Sequence, residues 1–210
     1  MVGRKIAVIG AGCSGLAAVK QCLEDGLEPV CFEKEADLGG LWNYSDGSKP
    51  GKGSVYKNCV INTSKEMMAY SDFPPPAEFP MFMPHRYVLK YFKMYAERFA
   101  LLKHIHFNTS VLNVRQSNEY EEDGSWDVTY MTSEGVTHTT TFAGVLVCTG
   151  HHTFPYTPEF SGLNQFAGMT LHSHSYKDNV PFVGKKVLVV GMCHSHVLLY
   201  LVYLNILNIC

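Results

Sequence analysis

The sequence has no basic stripe. Its 17 Lys and Arg and 19 Asp and Glu are interspersed, for a formal charge of −2, so the electrostatic footprint of a nucleic-acid binder is missing and no such partner is expected. Cys-x-x-Cys spacing is missing too. Seven cysteines stand singly, an odd number, which gives zinc ligation little support and suits a reduced, cytosol-facing environment. Repeats and low-complexity tracts are absent. Nor is there a continuous secretory core: Arg4 and Lys5 precede an apolar run, but Gly10, Gly12 and Gly15 break it and a helical pattern follows. Proline gathers in one place, Pro74-Pro75-Pro76 with Pro80 and Pro84, the mark of a loop. What is present is a chain of 210 residues, 46% apolar. That is enough to bury the core of one large domain, or of one domain plus a fragment.

The first elements follow from periodicity. Residues 5–9 form a short apolar run that predicts a buried parallel strand. A glycine turn follows, then a helix over 14–24 with Leu16, Val19 and Leu23 inward, stopped by Asp25-Gly26. Residues 29–32 predict a second strand ending at Glu33, parallel to the first by the right-handed crossover. Further on, Val88, Leu89, Phe92, Tyr95, Ala96 and Phe99 recur at helical spacing over 86–99. Residues 105–114 read as one strand, 126–131 and 136–142 as a hairpin, 145–148 as a buried strand and 187–190 as the last. The expected class is α/β: a Rossmann-type domain with an inserted β hairpin over 1–155, then a linker and the beginning of a second nucleotide-binding domain over 156–210.

Gly10-Ala11-Gly12-Cys13-Ser14-Gly15 is a GxGxxG pattern between a predicted strand and a predicted helix. Gly10 permits the tight turn, Gly12 lets the backbone approach a pyrophosphate, and Gly15 lets helix and strand pack closely. The free N–H groups of the helix start then face the phosphates. An ordinary Gly-rich turn is the alternative, and the strand–turn–helix context speaks against it. Glu33 ends the second strand, where a carboxylate reaches ribose hydroxyls and repels a 2′-phosphate. That selects FAD or NAD over NADP. A merely solvated charge is the other reading, since Lys34 and Glu35 adjoin it. Gly39-Gly40-Leu41-Trp42 adds a second glycine pair, suited to a longer ligand.

From here the resemblance becomes specific. The glycine turn, Glu33 and Gly39-Gly40-Leu41-Trp42 resemble the FAD site of the flavin-containing monooxygenase family, of the N,N-dimethylaniline monooxygenase type. The resemblance continues through Asn62-Thr63-Ser64-Lys65-Glu66-Met67-Met68 and Tyr70-Ser71-Asp72-Phe73-Pro74. It then reaches Val147-Cys148-Thr149-Gly150, and a fit to FxGxxxHxxxY from Phe166 through Gly168 and His172 to Tyr176. Tyr176 stands where related Baeyer–Villiger enzymes carry tryptophan. The family binds FAD on one Rossmann domain and NADPH on a second, and its reduced flavin uses O2 to oxygenate soft nitrogen or sulfur nucleophiles. The resemblance implies that Gly10, Ala11, Gly12, Cys13, Ser14, Gly15, Glu33, Gly40, Leu41, Trp42, Asn62, Thr63, Thr149 and Gly150 hold the cofactor. It also maps the family's active-site asparagine onto Asn62, whose amide can both donate and accept; a turn asparagine is the plainer reading. The FxGxxxHxxxY segment is expected to tie the domains together, with His172 structural.

The pattern departs from the family at Gly191-Met192-Cys193-His194-Ser195-His196. Only the first glycine of the second dinucleotide motif remains. Cys193 sits where the pyrophosphate should approach, and His196 where helix and strand should pack. In the family the FAD domain is completed by chain that returns after the NADPH domain, so an N-terminal portion with a divergent tail is the expectation. Exposed apolar surface, and with it homo-oligomerisation or aggregation, is expected from the same comparison. The uncharged stretch 187–210 is long enough to consider as a membrane span, but His194, Ser195, His196, Asn205 and Asn208 make it polar for a bilayer, so a misfit core segment is the favoured reading and membrane association the alternative. A cytoplasmic location, or the cytosolic face of the endoplasmic reticulum, is expected. Two functions remain: the monooxygenase, and a non-catalytic FAD- or ADP-binding fragment that partners full-length relatives. An NAD-linked reductase is disfavoured by Gly39-Gly40 and FxGxxxHxxxY.

Overall fold

The computed structural model describes residues 4–49 and 51–191. Strand β1 (Lys5–Ile9), helix α1 (Cys13–Glu24) and strand β2 (Glu28–Phe32) follow the sequence expectation closely. Helix α2 (His85–Arg98) comes next, then β3 (Ile105–His106), β4 (Ser110–Gln116) and a short α3 (Tyr120–Asp123). Strands β5 (Trp126–Met131), β6 (Thr137–Phe142) and β7 (Gly144–Val147) follow, and three short 3-10 turns (Leu163–Gln165, Ser173–Ser175, Val180–Phe182) come after them. The parallel sheet runs β3-β2-β1-β7, and a separate antiparallel sheet runs β4-β5-β6.

Three layers result, and the period-2 alternation of β1 explains them. Val8 and its β2 neighbour Cys31 face the helices, in a core with Leu16, Val19, Val88, Tyr91, Phe92 and Tyr95. Ala7 and Phe32 face the other way, against Val128 and Phe142 of the antiparallel sheet. A parallel strand needs cover on both faces, and β1 receives it from α1 and α2 on one side and from β5 and β6 on the other. Within α1, Leu16 and Val19 are fully buried as expected, whereas Cys22 takes the inner position and Leu23 is only partly buried.

Four expectations are corrected. The strand expected to be buried at 145–148 is the edge strand β7, with Leu146 and Val147 exposed, because no strand pairs on its outer side among the described residues. The single strand over 105–114 is two strands in different sheets. Asn108 breaks it with a φ of 53°, a left-handed conformation that asparagine tolerates better than most residues. Its N–H donates to the Glu35 carbonyl and that of Thr109 to the Glu33 carbonyl, so the chain leaves β3 tethered to the end of β2. The inserted hairpin is a three-stranded sheet, because the released β4 pairs along β5 from Ser110↔Met131 to Gln116↔Trp126. Residues 187–190 form no strand. An extended segment becomes one only when a neighbour takes its N–H and C=O groups, and among the described residues none does. Residues 192–210, including Cys193 and His196, lie outside the described residues. Among those described, no helix is long and apolar enough to cross a membrane.

Candidate functional site

The glycine turn sits at the carboxyl end of β1, between β2 and β7, the edge at which open α/β sheets bind ligands. Gly10 has a φ of 102°, its N–H donates to the Phe32 carbonyl at 2.8 Å, and a Cβ there would lie 2.5 Å from the Cys148 carbonyl oxygen. A Cβ on Gly15 would collide with the Gly10 carbonyl oxygen. These two glycines are therefore required by the protein itself. Gly12 differs: a Cβ there would meet nothing closer than the Gly40 Cα at 3.8 Å. The protein leaves the space over Gly12 unclaimed, which fits a ligand whose phosphates come close to the backbone. Gly12 caps α1 with no side chain bonded to the first turn, so the N–H groups of Cys13, Ser14 and Gly15 are free of intrahelical acceptors.

The second glycine pair joins the first. The Gly39 N–H donates to the Ala11 carbonyl at 3.0 Å, and a Cβ on Gly40 would touch the Gly12 Cα at 3.4 Å. The short helical turn Gly40–Trp42 thus packs on the dinucleotide turn and places Leu41 and Trp42 beside it. Trp42 leans on the helix-side core.

Glu33 is 6% exposed. Its carboxylate accepts the Ala11 N–H at 2.8 Å and the Glu35 N–H at 2.9 Å, and so ties the glycine turn to the end of β2. Each oxygen keeps a lone pair, so two backbone bonds do not exhaust its acceptor capacity for hydroxyls. Thr149 and Gly150 follow β7 across the turn, the Thr149 Cα lying 3.7 Å from where a Cβ on Gly10 would stand. With Lys34, Gly51 and residues 151–154 they line a cleft of about 500 Å³, and the Lys34 ammonium bridges it to the Gly51 carbonyl.

Asn62 and Thr63 stand apart. Both are exposed, in the loop between buried Ile61 and Lys65, and among the described residues neither hydrogen-bonds to the glycine turn. Lys65 fixes this loop: its ammonium donates to the carbonyls of Pro76 (3.1 Å), Ala77 (2.7 Å) and Phe79 (2.8 Å). Sequence reasoning missed that hub, whose only signal is a lone lysine beside a proline cluster. The segment around His172 docks on 52–57. His174 Nε2 bonds the Lys52 carbonyl at 2.7 Å, the Lys177 ammonium donates to Ser54 Oγ at 2.7 Å, and buried Tyr176 meets the Tyr56 ring edge-on at 5.5 Å. His172 Nδ1 accepts the His174 N–H at 3.1 Å, a local structural bond. Gly191, the surviving glycine of the second motif, is exposed with a φ of 148°.

Two thiols lie beneath the turn: Cys31 donates to the Gly10 carbonyl at 3.7 Å, and Cys148 sits beside Gly15. Burial pushes the Cys31 thiol up to about 12, with Glu33 and Cys148 adding to it. Burial also raises Cys148 and Cys22. All three stay protonated near neutrality.

Comparison with known proteins agrees with this geometry. Rabbit (Oryctolagus cuniculus) flavin-containing monooxygenase 5 is 50% identical over 197 residues, 93% of this chain and 37% of the rabbit protein. The structure of Tmm from Pelagibacter sp. strain HTCC7211 superposes with a TM-score of 0.81 at 31% identity, over 94% of this chain and 48% of that one. S-allyl-L-cysteine S-oxygenase from Allium sativum gives 0.77 at 27% identity, over 86% and 44%. The chain thus spans little more than a third of the curated relative's length. The family model for flavin-binding monooxygenase-like proteins matches residues 3–200, and the chain belongs to that family.

Proposed function

We propose that this chain binds FAD through the ADP half and supplies the flavin-holding part of an NADPH-dependent monooxygenase acting on soft nitrogen or sulfur nucleophiles. One observation carries the reading: the space over Gly12, open in a turn where Gly10 and Gly15 are closed by the protein's own atoms. The N–H groups of Cys13, Ser14 and Gly15 would meet the pyrophosphate, with the positive end of α1 behind them. Glu33 would accept the ribose hydroxyls while holding Ala11 in place. Leu41 and Trp42, and Thr149 and Gly150, would flank the ligand on its two sides. Asn62 would orient a polar group at the flavin edge through its amide, and Thr63 would lie beside it. Bound FAD would supply the electron transfer and the activation of O2.

A second reading has its own support. Cys193 and His196 replace the glycines that a second dinucleotide turn needs, and 187–190 pair with no strand among the described residues. On that ground this chain holds flavin without taking hydride from NADPH, as a non-catalytic FAD- or ADP-binding protein. Titration calorimetry with FAD, ADP and FMN tests the site. FAD and ADP should bind and FMN, which lacks the AMP portion with its adenosine, should not. Binding of FMN alone, or of none of the three, would refute the assignment.

A further inference from the structure

We propose that Tyr70 is a positioning residue for the cofactor, fixing the first turn of α1 against the pyrophosphate; this rests on the reading that the glycine turn takes the ADP half. The Tyr70 hydroxyl donates to the Cys13 carbonyl at 2.6 Å, across 57 residues of sequence. Cys13 opens α1, and its own N–H is one of those aimed at the phosphates. A helical carbonyl already accepts the N–H four residues on, so this bond is additional to the helix. It locates the helix start relative to something outside it.

What it is tied to is rigid. The Tyr70 ring lies 4.2 Å from that of Tyr95 and 5.7 Å, stacked, from that of Tyr91. The Tyr91 hydroxyl accepts the Tyr70 N–H at 2.8 Å and donates to the Phe73 carbonyl at 2.5 Å. Phe73 packs on Tyr91, Tyr95 and Phe99, one aromatic stripe along α2. Residues 70–73 are therefore a strap seated on α2. Burial holds the Tyr70 phenol well above its usual range, so it remains a donor throughout the physiological span.

The strap grips α1 twice. Lys20 pairs with Asp72 at 2.5 Å and lies over the Phe99 ring at 5.2 Å. Cys13 and Lys20 are seven residues apart, two turns along one face. The two ties differ in consequence. The Lys20 tie sits well down the helix and secures its docking on α2. The Tyr70 tie acts on the residue that would touch the ligand. Losing the first should loosen the fold; losing the second should misplace the phosphate donors.

The test uses the full chain, ADP as probe, and the variants Tyr70→Phe and Lys20→Met at a temperature where circular dichroism reports both folded. Tyr70→Phe keeps the ring and removes one hydroxyl. Its Kd for ADP should rise about 3- to 10-fold, the worth of one net hydrogen bond. Amide exchange should quicken at Leu16 and Ala17, which close the first turn, and not at Leu23 and Glu24. Lys20→Met should lower the melting temperature and leave the ADP affinity of the folded protein unchanged. An unchanged Kd in Tyr70→Phe would overturn the proposal, as would exchange quickened equally along all of α1. Wild-type chain that binds no ADP would overturn the site assignment itself, and this proposal with it, before any variant is made.

Discussion

Alanine at Gly12 and alanine at Gly15 should fail in opposite ways. Gly12 has φ −80° and ψ −167°, a conformation open to any residue. A Cβ there finds only ordinary contacts at 3.8 and 4.0 Å. Gly12→Ala should therefore fold with near wild-type stability: reduced freedom in the unfolded chain adds about 0.4–1 kcal/mol, and the poorer N-cap that alanine makes at the start of α1 costs about as much. Its cost falls on the ligand, because the methyl stands where the phosphates must approach. Overpacking of that kind costs about 1–3 kcal/mol, which is roughly 5- to 150-fold in Kd for ADP, and Gly12→Val should abolish binding. Gly15→Ala meets the Gly10 carbonyl oxygen, a backbone atom that cannot rotate away. It should destabilise the unliganded chain by about 1–3 kcal/mol or more. Urea denaturation without ligand and calorimetric titration with ADP separate the two. Gly12→Ala that binds ADP as tightly as wild type would show that the phosphates do not approach over Gly12, and Gly15→Ala with an unchanged urea midpoint would show that the turn has room for a methyl group there.

Other expectations concern the rest of the site. Glu33→Arg should move preference among adenosine ligands from NAD-like towards 2′-phosphorylated ones, checked by competition against ADP. Glu33→Ala should cost about 1–3 kcal/mol of stability by leaving the Ala11 and Glu35 N–H groups unpaired. His85 and His104 are both held below the ordinary 6.5, chiefly by burial, and each has a buried ring nitrogen with no partner among the described residues. The fold therefore favours the neutral rings. As pH falls below 6.5 the unfolded chain takes up protons that the folded chain refuses, so stability should drop from there towards the lower folded values. Urea midpoints measured across that window check it, and His85→Gln should flatten the slope. NADPH should not bleach bound flavin at turnover rates, ~1 per second or faster, and stopped-flow absorbance reads this directly.

The sequence was most legible where local chemistry decides structure. The apolar run of β1, the spacing of Gly10, Gly12 and Gly15, and Glu33 at the end of β2 define the βαβ unit with little outside help. Legibility failed where a partner decides. Residues 105–114 look like one strand because the break at Asn108 is a matter of which sheet each half joins. The hairpin gains its third strand for the same reason. Residues 187–190 have the composition of a buried strand, yet composition supplies no neighbour. The Tyr70 strap was invisible because its meaning lies in contacts with α1 and α2, far away in sequence. Apolar exposure is similar: Val147 on the outer strand β7 is 70% exposed, and Phe154 and Tyr156 beyond it 81% each. A local pattern cannot say what covers such residues.

The central claim is that the turn at Gly10–Gly15, with Glu33, holds FAD by its ADP half, and one measurement bears on it most directly. The purified full chain is mixed with FAD, passed through gel filtration, and its visible absorbance recorded beside that of Gly12→Val. A flavin spectrum should travel with the wild-type chain, be displaced by excess ADP, and be missing from the variant. The melting temperature should rise with it, since FAD at a hundredfold excess over its Kd adds about 2.7 kcal/mol to the folded form. A wild-type chain that emerges colourless and melts unchanged at saturating FAD would rule out an ADP-half site at the glycine turn, and so would flavin retained equally by Gly12→Val.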